Sequence, residues 1–149
     1  METVRIYQIP DCKVVSSGIG MFGDIKFDIF EKWISSLPET HHYFYPRDFL
    51  FQDGEGLHWV WMYENGMDIP NELEIIDFKG GLYAVQTGID QKTDIDEMFK
   101  IENEFLSTHG FEIDTSRPRL GNIITPPMAK SVLGYEQMNY YTPIKLKNK

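Results

Sequence analysis

The sequence has 149 residues, 42% of them hydrophobic and 25% charged, which fits a single globular domain large enough to bury a core. Its formal net charge of −9 argues against a nucleic-acid-binding surface, which needs a basic patch. A single cysteine excludes an intrachain disulfide, and no Cys/His spacing indicates a metal site. Because there is no signal-peptide pattern and no long apolar run, we expect a cytoplasmic protein that contacts neither membrane nor nucleic acid and needs no cofactor.

The first half of the sequence predicts strands followed by a helix and further strands. Strand patterns cover Val4–Ile9 and Lys13–Ser16. The helix, roughly Asp24–Leu37, carries a continuous apolar stripe at helical spacing. A strand region from Phe49 to Tyr63, interrupted by a glycine-containing turn, and a strand near Leu73–Phe78 complete this half.

The second half predicts the same order of elements. A tight glycine connection leads into a strand at Leu82–Thr87, and a helix follows over Asp94–His109. Gly110 is placed to end that helix as its C-cap. Two strands near Arg119–Ile124 and Glu136–Lys145, separated by a proline-rich loop, complete the chain.

A short internal repeat supports a duplication. Val14–Ile19 has the sequence VVSSGI and Ala84–Ile89 has the sequence AVQTGI, each at a strand end before a helix. We therefore predict one domain, residues 1–149, built from two β-α-β-β halves at roughly 1–78 and 79–149. The expected fold is α+β, with a curved antiparallel sheet, two helices and a central cleft of the kind that favours ligand binding.

The segment HWVWMYENG contains a row of large aromatic residues. Trp59, Trp61 and Tyr63 fall on one side of any strand built from it, because strand side chains alternate. Such a row is either core packing or the wall of a ligand site. Tyr83, beside the glycine connection, is open to the same two interpretations.

One acidic residue interrupts the apolar face of the second helix. The apolar positions at helical spacing are Ile95, Met98, Phe99, Phe105 and Leu106. Glu102 occupies the missing position of this stripe, and aligning the two helices places it opposite Phe30. Burial would raise the pKa of its carboxyl group and suit it to acid–base chemistry or cation binding. A rotated helix or a structural pairing with a tyrosine or arginine is the alternative interpretation.

Four segments in order resemble the GyrI-like small-molecule-binding domain. They are WMYENGMDIPNEL (Trp61–Leu73), FKGGLYAVQTGI (Phe78–Ile89), FLSTHGFEIDTSRP (Phe105–Pro118) and GYEQMNYYTPIK (Gly134–Lys145). This family includes effector domains of multidrug-responsive transcription activators and stand-alone proteins such as the DNA gyrase inhibitor. The resemblance covers essentially the whole chain and implies the duplicated β-α-β-β fold.

The resemblance also implies a site. In the family an aromatic-lined cavity takes lipophilic, often cationic drugs, and a tyrosine of the last strand, which matches Tyr141 here, commonly contributes to it. Asn139 shares the face of Tyr141 on that strand. Many members carry a pocket glutamate where this chain has Gly121, and Glu102 could replace that charge.

Some stand-alone members hydrolyse cyclopropane-bearing, DNA-alkylating compounds, and this chain has no room for a fused DNA-binding domain. We therefore expect a hydrolase of planar electrophilic compounds that acts on a lipophilic aromatic small molecule. In this hypothesis Trp59, Trp61 and Tyr63 form the slot, Glu102 is the base for water, and Tyr141 is the hydrogen-bond donor. Two alternatives are a binding module that sequesters ligands without catalysis and an acidic inhibitor of DNA gyrase.

Overall fold

A computed structural model of the chain describes residues 3–37 and 48–148. In chain order its elements are β1 (Arg5–Ile9), β2 (Cys12–Ser16), α1 (Ile25–Ser36), β3 (Asp48–Asp53), β4 (Gly56–Met62), β5 (Glu74–Phe78), β6 (Gly81–Ile89), α2 (Ile95–His109), β7 (Phe111–Ile113), β8 (Leu120–Ile123), α3 (Pro127–Leu133) and β9 (Gln137–Leu146). The described strand pairs are antiparallel, which confirms the α+β class. Two short elements, β7 and α3, were not predicted.

The chain forms two compact units. The inner unit is Asp11–Lys79, and the terminal unit is Met1–Pro10 together with Gly80–Lys149. Strand β1 therefore packs in the same unit as β6 rather than with β2. None of the helices in the described ranges is long and apolar enough to cross a membrane.

In the inner unit the strand order is β3-β4-β2-β5, and α1 covers one face. The helix buries Phe27, Phe30 and Trp33, whose spacing of three residues keeps them on one side of the helix. Phe30 and Trp33 join Val15 and Leu73 in one hydrophobic cluster. Apolar burial of this kind is the main favourable contribution to the stability of the unit.

In the terminal unit the order is β1-β6-β9-β8, and β7 pairs with the far end of β9. Helix α2 begins where the Asp94 side chain accepts a hydrogen bond from the Glu97 N–H, and it ends at Gly110 with a φ of 80°. This left-handed conformation confirms the predicted glycine C-cap. Leu106 of α2 packs on Ala84 and Ile144 of the sheet.

The two units share one topology. Strands β2, β3 and β4 of the inner unit correspond to β6, β8 and β9 of the terminal unit, and each helix follows the first strand of its set. The outer strand next to β2 is β5, whereas the outer strand next to β6 is β1. The terminal unit therefore takes its outer strand, β1, from the start of the chain. The inner unit takes its outer strand, β5, from the end of its own segment.

The sheet of the terminal unit presents two different faces. Ala84 and Thr142 are directly opposite each other and face α2, as does Ile144; we call this the helix face. The neighbouring pair, Val85 and Tyr141, faces the other way because strand side chains alternate. That other side, which also carries Tyr7, Tyr83, Thr87, Asn122 and Asn139, is called the tyrosine face.

Candidate functional site

A chain of side-chain hydrogen bonds crosses the tyrosine face. Arg5 Nη2 donates to Thr87 Oγ1 at 2.6 Å, and Thr87 Oγ1 donates to Asn139 Oδ1 at 2.6 Å. Asn139 Nδ2 lies 3.4 Å from the Tyr141 hydroxyl, which donates to Asn122 Oδ1 at 3.1 Å. Each hydrogen bond is donated in the direction that leads away from the guanidinium. The positive charge of Arg5 therefore polarises the successive hydrogen bonds as far as Tyr141.

Antiparallel register explains why these residues meet. Arg5 is opposite Val85, Thr87 is opposite Asn139, and Asn139 is opposite Asn122 across three adjacent strand pairs. Residues that are opposite each other share one face of a sheet, and their diagonal neighbours lie within reach of long side chains. Arg5 reaches Asn139 Oδ1 directly as well, at 3.3 Å.

Three tyrosine rings line the same face. The Tyr141 ring centroid lies 6.5 Å from that of Tyr7 and 6.3 Å from that of Tyr83, both in edge-type arrangements. Arg5 sits over the Tyr7 ring at 5.4 Å and donates to the Tyr7 hydroxyl at 2.9 Å. Tyr83 is fully buried, whereas Tyr7 is 40% exposed and Tyr141 is half-buried. Tyr7 therefore provides the part of this aromatic surface that solvent and ligands can reach.

Burial raises the pKa of the Tyr141 hydroxyl, and hydrogen bonds with Asn139 and Asn122 oppose that rise. Among charged groups, Arg5 lowers this pKa while Tyr7 raises it. The hydroxyl therefore keeps its proton at neutral pH and serves as a hydrogen-bond donor rather than as a base.

Glu102 lies on the helix face, as the helical periodicity predicted. Its side chain is 2% exposed, and burial raises the pKa of the carboxyl group. A hydrogen bond with Thr142 and the charge of Arg119 oppose the rise. Thr142 Oγ1 accepts a hydrogen bond from Arg119 Nη1 at 2.9 Å, and its own proton therefore goes to Glu102. Burial and a raised pKa are confirmed for Glu102.

The two residues expected to act together do not share a face. Glu102 bonds to Thr142, whereas the neighbouring residue Tyr141 bonds to Asn122 on the other side of the sheet. Side chains of adjacent strand residues point to opposite faces. A substrate atom on the tyrosine face therefore meets Tyr141 and Asn139 but not Glu102.

The aromatic row of the inner unit lies on the side of β4 that packs against α1. Trp59 stacks among Phe22, Phe27 and Phe30 at ring distances of 5.4, 5.6 and 5.1 Å. Its Nε1 donates to Asp48 Oδ2 at 2.9 Å. Trp59 and Tyr63 are thus partly buried residues that pack against the hydrophobic cluster of the inner unit.

Trp61 of the same row lines a cavity with a volume of about 670 Å³. The lining residues are Trp33, Ser36, Leu37, Trp61, Glu64, Asn65, Gly66, Met67, Asp68 and Pro70. Two indole rings provide apolar walls, and the lining includes the acidic residues Glu64 and Asp68. The volume of the cavity lies within the range of small-molecule sites.

Ser16, His58 and Asp53 form a third polar group. Ser16 Oγ lies 2.7 Å from His58 Nδ1, and His58 Nε2 lies 2.9 Å from Asp53 Oδ2. The Gly18 N–H donates to the same Ser16 oxygen at 3.0 Å, so the serine donates its proton to the histidine. Ser16 has 0% exposure, so its hydroxyl meets no substrate and we assign it no nucleophilic role.

Sequence reasoning placed Tyr141 and Asn139 on one face of the last strand, as in the structure, but missed Arg5 and Thr87. The strand alternation of Arg5 and Tyr7 was visible, but their partner lies 82 residues away along the chain. Gly121 is buried opposite Tyr140. A Cβ at Gly121 would meet the methyl group at the end of the flexible Met138 side chain, so a larger residue here requires that side chain to move. No group of three metal-ligating side chains occurs among residues 3–37 and 48–148.

The fold is shared with several solved structures of other proteins. No family model and no curated protein matches the sequence. Among solved structures, the EcmrR C-terminal domain is similar at 12% identity and a TM-score of 0.65, covering 96% of this chain and 97% of that one. The chain spans 57% of the EcmrR chain solved with DNA, at 11% identity and a TM-score of 0.66 over 97% of this chain.

Two further similar structures come from other proteins. A hydrolase encoded by lin2189 from Listeria innocua matches at 11% identity and a TM-score of 0.65, covering 96% of this chain and 92% of that chain. SAV2435 bound to tetraphenylphosphonium matches at 13% identity and a TM-score of 0.52, covering 97% and 94%. At these identities the likeness establishes the fold alone.

Proposed function

We propose that this protein is a cytoplasmic small-molecule-binding protein that takes lipophilic aromatic compounds into the cavity beside Trp61. The cavity of about 670 Å³, walled by the indoles of Trp61 and Trp33, carries this proposal. Aromatic walls favour flat apolar ligands, and carboxylates on the lining favour a positive charge on them. That SAV2435 binds tetraphenylphosphonium supports a lipophilic ligand for this fold.

Tryptophan fluorescence quenching by tetraphenylphosphonium tests the binding proposal. Trp61→Leu is expected to weaken binding by at least about tenfold, since a buried aromatic anchor contributes on the order of 2 kcal/mol. Trp59→Phe is the matched control, because its ring packs among Phe22, Phe27 and Phe30 and does not line the cavity. Equal losses in both variants, or none in Trp61→Leu, would place the ligand elsewhere.

A second candidate function is hydrolysis of cyclopropane-bearing, DNA-alkylating compounds, which would protect the cell from them. The hydrogen-bond chain that ends at Tyr141 favours it. In such a substrate water bonds to a ring carbon, and the strained C–C bond breaks. Its electron pair moves through the conjugated dienone to the carbonyl oxygen, which gains a proton while the attacking water loses one. Tyr141 supplies the donor to that oxygen, where negative charge develops, by turning its hydroxyl from Asn122 Oδ1 to the substrate.

Mass spectrometry of ring opening, with a cyclopropane-bearing dienone as substrate, tests this candidate. Tyr141→Phe removes the donor and is expected to lower turnover by about 10²-fold, the usual cost of losing one such hydrogen bond. Glu102→Gln is expected to turn over at close to the wild-type rate, because Glu102 lies on the helix face. A large decrease in turnover in Glu102→Gln would instead indicate that Glu102 is the base for water. Ligand binding without turnover would leave a sequestering protein.

A further inference from the structure

The charge around Tyr141 is positive. Arg5 is the charged side chain that directly bonds to the polar chain of the tyrosine face. The second arginine near this face, Arg117, sits over the Tyr83 ring at 4.7 Å and is paired with Asp114 at 3.0 Å. Hydrogen bonds from Ser116 and Arg117 hold the pKa of Asp114 well below its usual range, so this pair is neutral as a unit.

The remaining charges of the face also cancel. Glu112 and Lys145 lie opposite each other at the β7 end of β9 and are 3.8 Å apart. In the described part of the terminal unit, no carboxylate takes part in the hydrogen-bond chain of the tyrosine face. The members of that chain include Arg5, Tyr7, Thr87, Asn139 and Tyr141. The three Arg5 bonds engage only part of a guanidinium that carries five N–H donors.

We infer that the tyrosine face is a binding site for aromatic ligands that carry an anionic or strongly accepting oxygen, and that Arg5 sets this preference. The inference deepens the hydrolytic candidate, with which it shares Tyr141. A carboxylate or enolate oxygen would accept from Arg5 and, deeper in the face, from Tyr141 once its hydroxyl turns away from Asn122 Oδ1. The Tyr7 ring, 40% exposed, would cover one side of the aromatic body. A lipophilic cation would meet the guanidinium instead, so this face selects against the ligand class that suits the acidic cavity beside Trp61.

Local charge outweighs the net charge of the protein at this site. The net charge of −9 repels an anion at long range, but screening limits that effect to about 8 Å at physiological ionic strength. A charge-assisted hydrogen bond to a guanidinium acts at contact distance and changes affinity by about tenfold to a hundredfold. At about 150 mM salt the distant charges of the protein are screened over about 8 Å. Affinity measured under this condition therefore reports mainly on the contact with Arg5.

A matched pair of naphthalenes tests the inference. Titrations of the full chain with 2-naphthoate and with 2-naphthylmethylammonium are followed through the side-chain amide NMR signals of Asn122 and Asn139, which report on this face alone. We expect naphthoate to shift both signals and to bind at least about tenfold more tightly there than the ammonium compound. Ammonium binding of equal or greater strength at these signals would overturn the inference.

Substitutions of Arg5 locate the cause. Arg5→Gln is expected to weaken naphthoate binding by at least about tenfold, and Arg5→Lys to retain part of it, because lysine keeps the charge but not the planar donor geometry. Gln8→Ala, on the other side of the same strand, is the control. Unchanged naphthoate affinity in Arg5→Gln would refute the role of Arg5. If naphthoate binds but the cyclopropane-bearing dienone is not opened, the hydrolytic function alone is refuted. If the dienone is opened but the naphthalenes show no charge preference, this inference alone is refuted.

Discussion

The two faces of the terminal sheet have similar hydrogen-bond chains, but the chains lead to different side chains. On the helix face Arg119 donates to Thr142, which donates to Glu102. On the tyrosine face an arginine again donates to a threonine, and the chain continues to Tyr141. Glu102 is closed under α2, whereas the other chain begins beside an exposed Tyr7. The residue types alone therefore do not identify the site. The second chain is exposed at Tyr7 and Thr87, whereas its Asn122 and Asn139 are buried.

From this difference we propose other roles than those that the sequence suggested. The buried acid was the most conspicuous feature of the sequence, and in the structure it lies buried on α2. The arginine whose hydrogen-bond chain leads to Tyr141 was inconspicuous, because one basic residue on a predicted strand is usually a solvated surface residue. If the comparison is right, variants of the helix face change stability and variants of the tyrosine face change ligand chemistry.

The largest expected effect is a loss of packing on the helix face. Leu106 is 3% exposed and packs with Val4, Ala84 and Ile144. Leu106→Ala is expected to lower the free energy of unfolding by about 2–5 kcal/mol, the range for a buried leucine that leaves a cavity. Urea unfolding measures it, with exposed Ser107→Ala as the control. A loss below about 1 kcal/mol would mean that α2 is not packed as described.

Removing the threonine of the helix face should have the next largest effect. Thr142 is 1% exposed and links Arg119 to Glu102. Thr142→Val conserves shape but leaves the buried carboxyl group without its donor, which costs about 1–3 kcal/mol. Urea unfolding at neutral pH gives the value. Stability equal to wild type would show that Glu102 does not depend on this bond.

The buried acid gives a pH-dependent effect. Because the pKa of Glu102 is higher in the folded protein than its ordinary value of 4.5, folding favours the neutral carboxyl group. Its contribution to stability is complete below pH 4.5 and is lost as the pH rises through the folded pKa. Glu102→Gln stays neutral, so its stability relative to wild type should rise as the pH increases from 4.5 to 8.

Unfolding at several pH values, with exposed Glu104→Gln on the same helix as the control, checks this sign. Glu104→Gln should leave the pH dependence of stability unchanged, because Glu104 is exposed and folding changes its surroundings little. Parallel pH dependences for the two variants would contradict the assignment of Glu102 to a buried site.

Local patterns were enough to predict most of the fold. The burial of Glu102 followed from the helical spacing of Met98 and Leu106, which lies within one helix. The short strand β7 and helix α3 were missed because three and seven residues give too little periodicity. A proline at the start of α3 also suggested a loop, although proline is well tolerated in the first turn of a helix.

Non-local pairing limits what the sequence could predict. The repeat VVSSGI and AVQTGI aligns Val15 with Val85, but Val15 packs with the α1 cluster while Val85 is on the tyrosine face. A shift of one residue exchanges the faces of a strand, so the short repeat did not fix the register. The partners of Tyr141 depend on that register, and they were therefore not predictable.

The smallest expected change in stability belongs to the threonine of the tyrosine face. Thr87 is exposed and links Arg5 to Asn139 at 2.6 Å on each side. Thr87→Val is the counterpart of Thr142→Val, with the same change of atoms on the opposite face. We expect its free energy of unfolding to stay within about 0.5 kcal/mol of wild type, as for most surface substitutions.

The affinity of Thr87→Val for 2-naphthoate should fall by about threefold to tenfold, because Arg5 and Asn139 lose the group that orients them. Urea unfolding and the naphthoate titration on the same sample separate the two effects. If Thr87→Val destabilised the protein as much as Thr142→Val, the two faces would not differ in access, and the tyrosine face would be core like its counterpart.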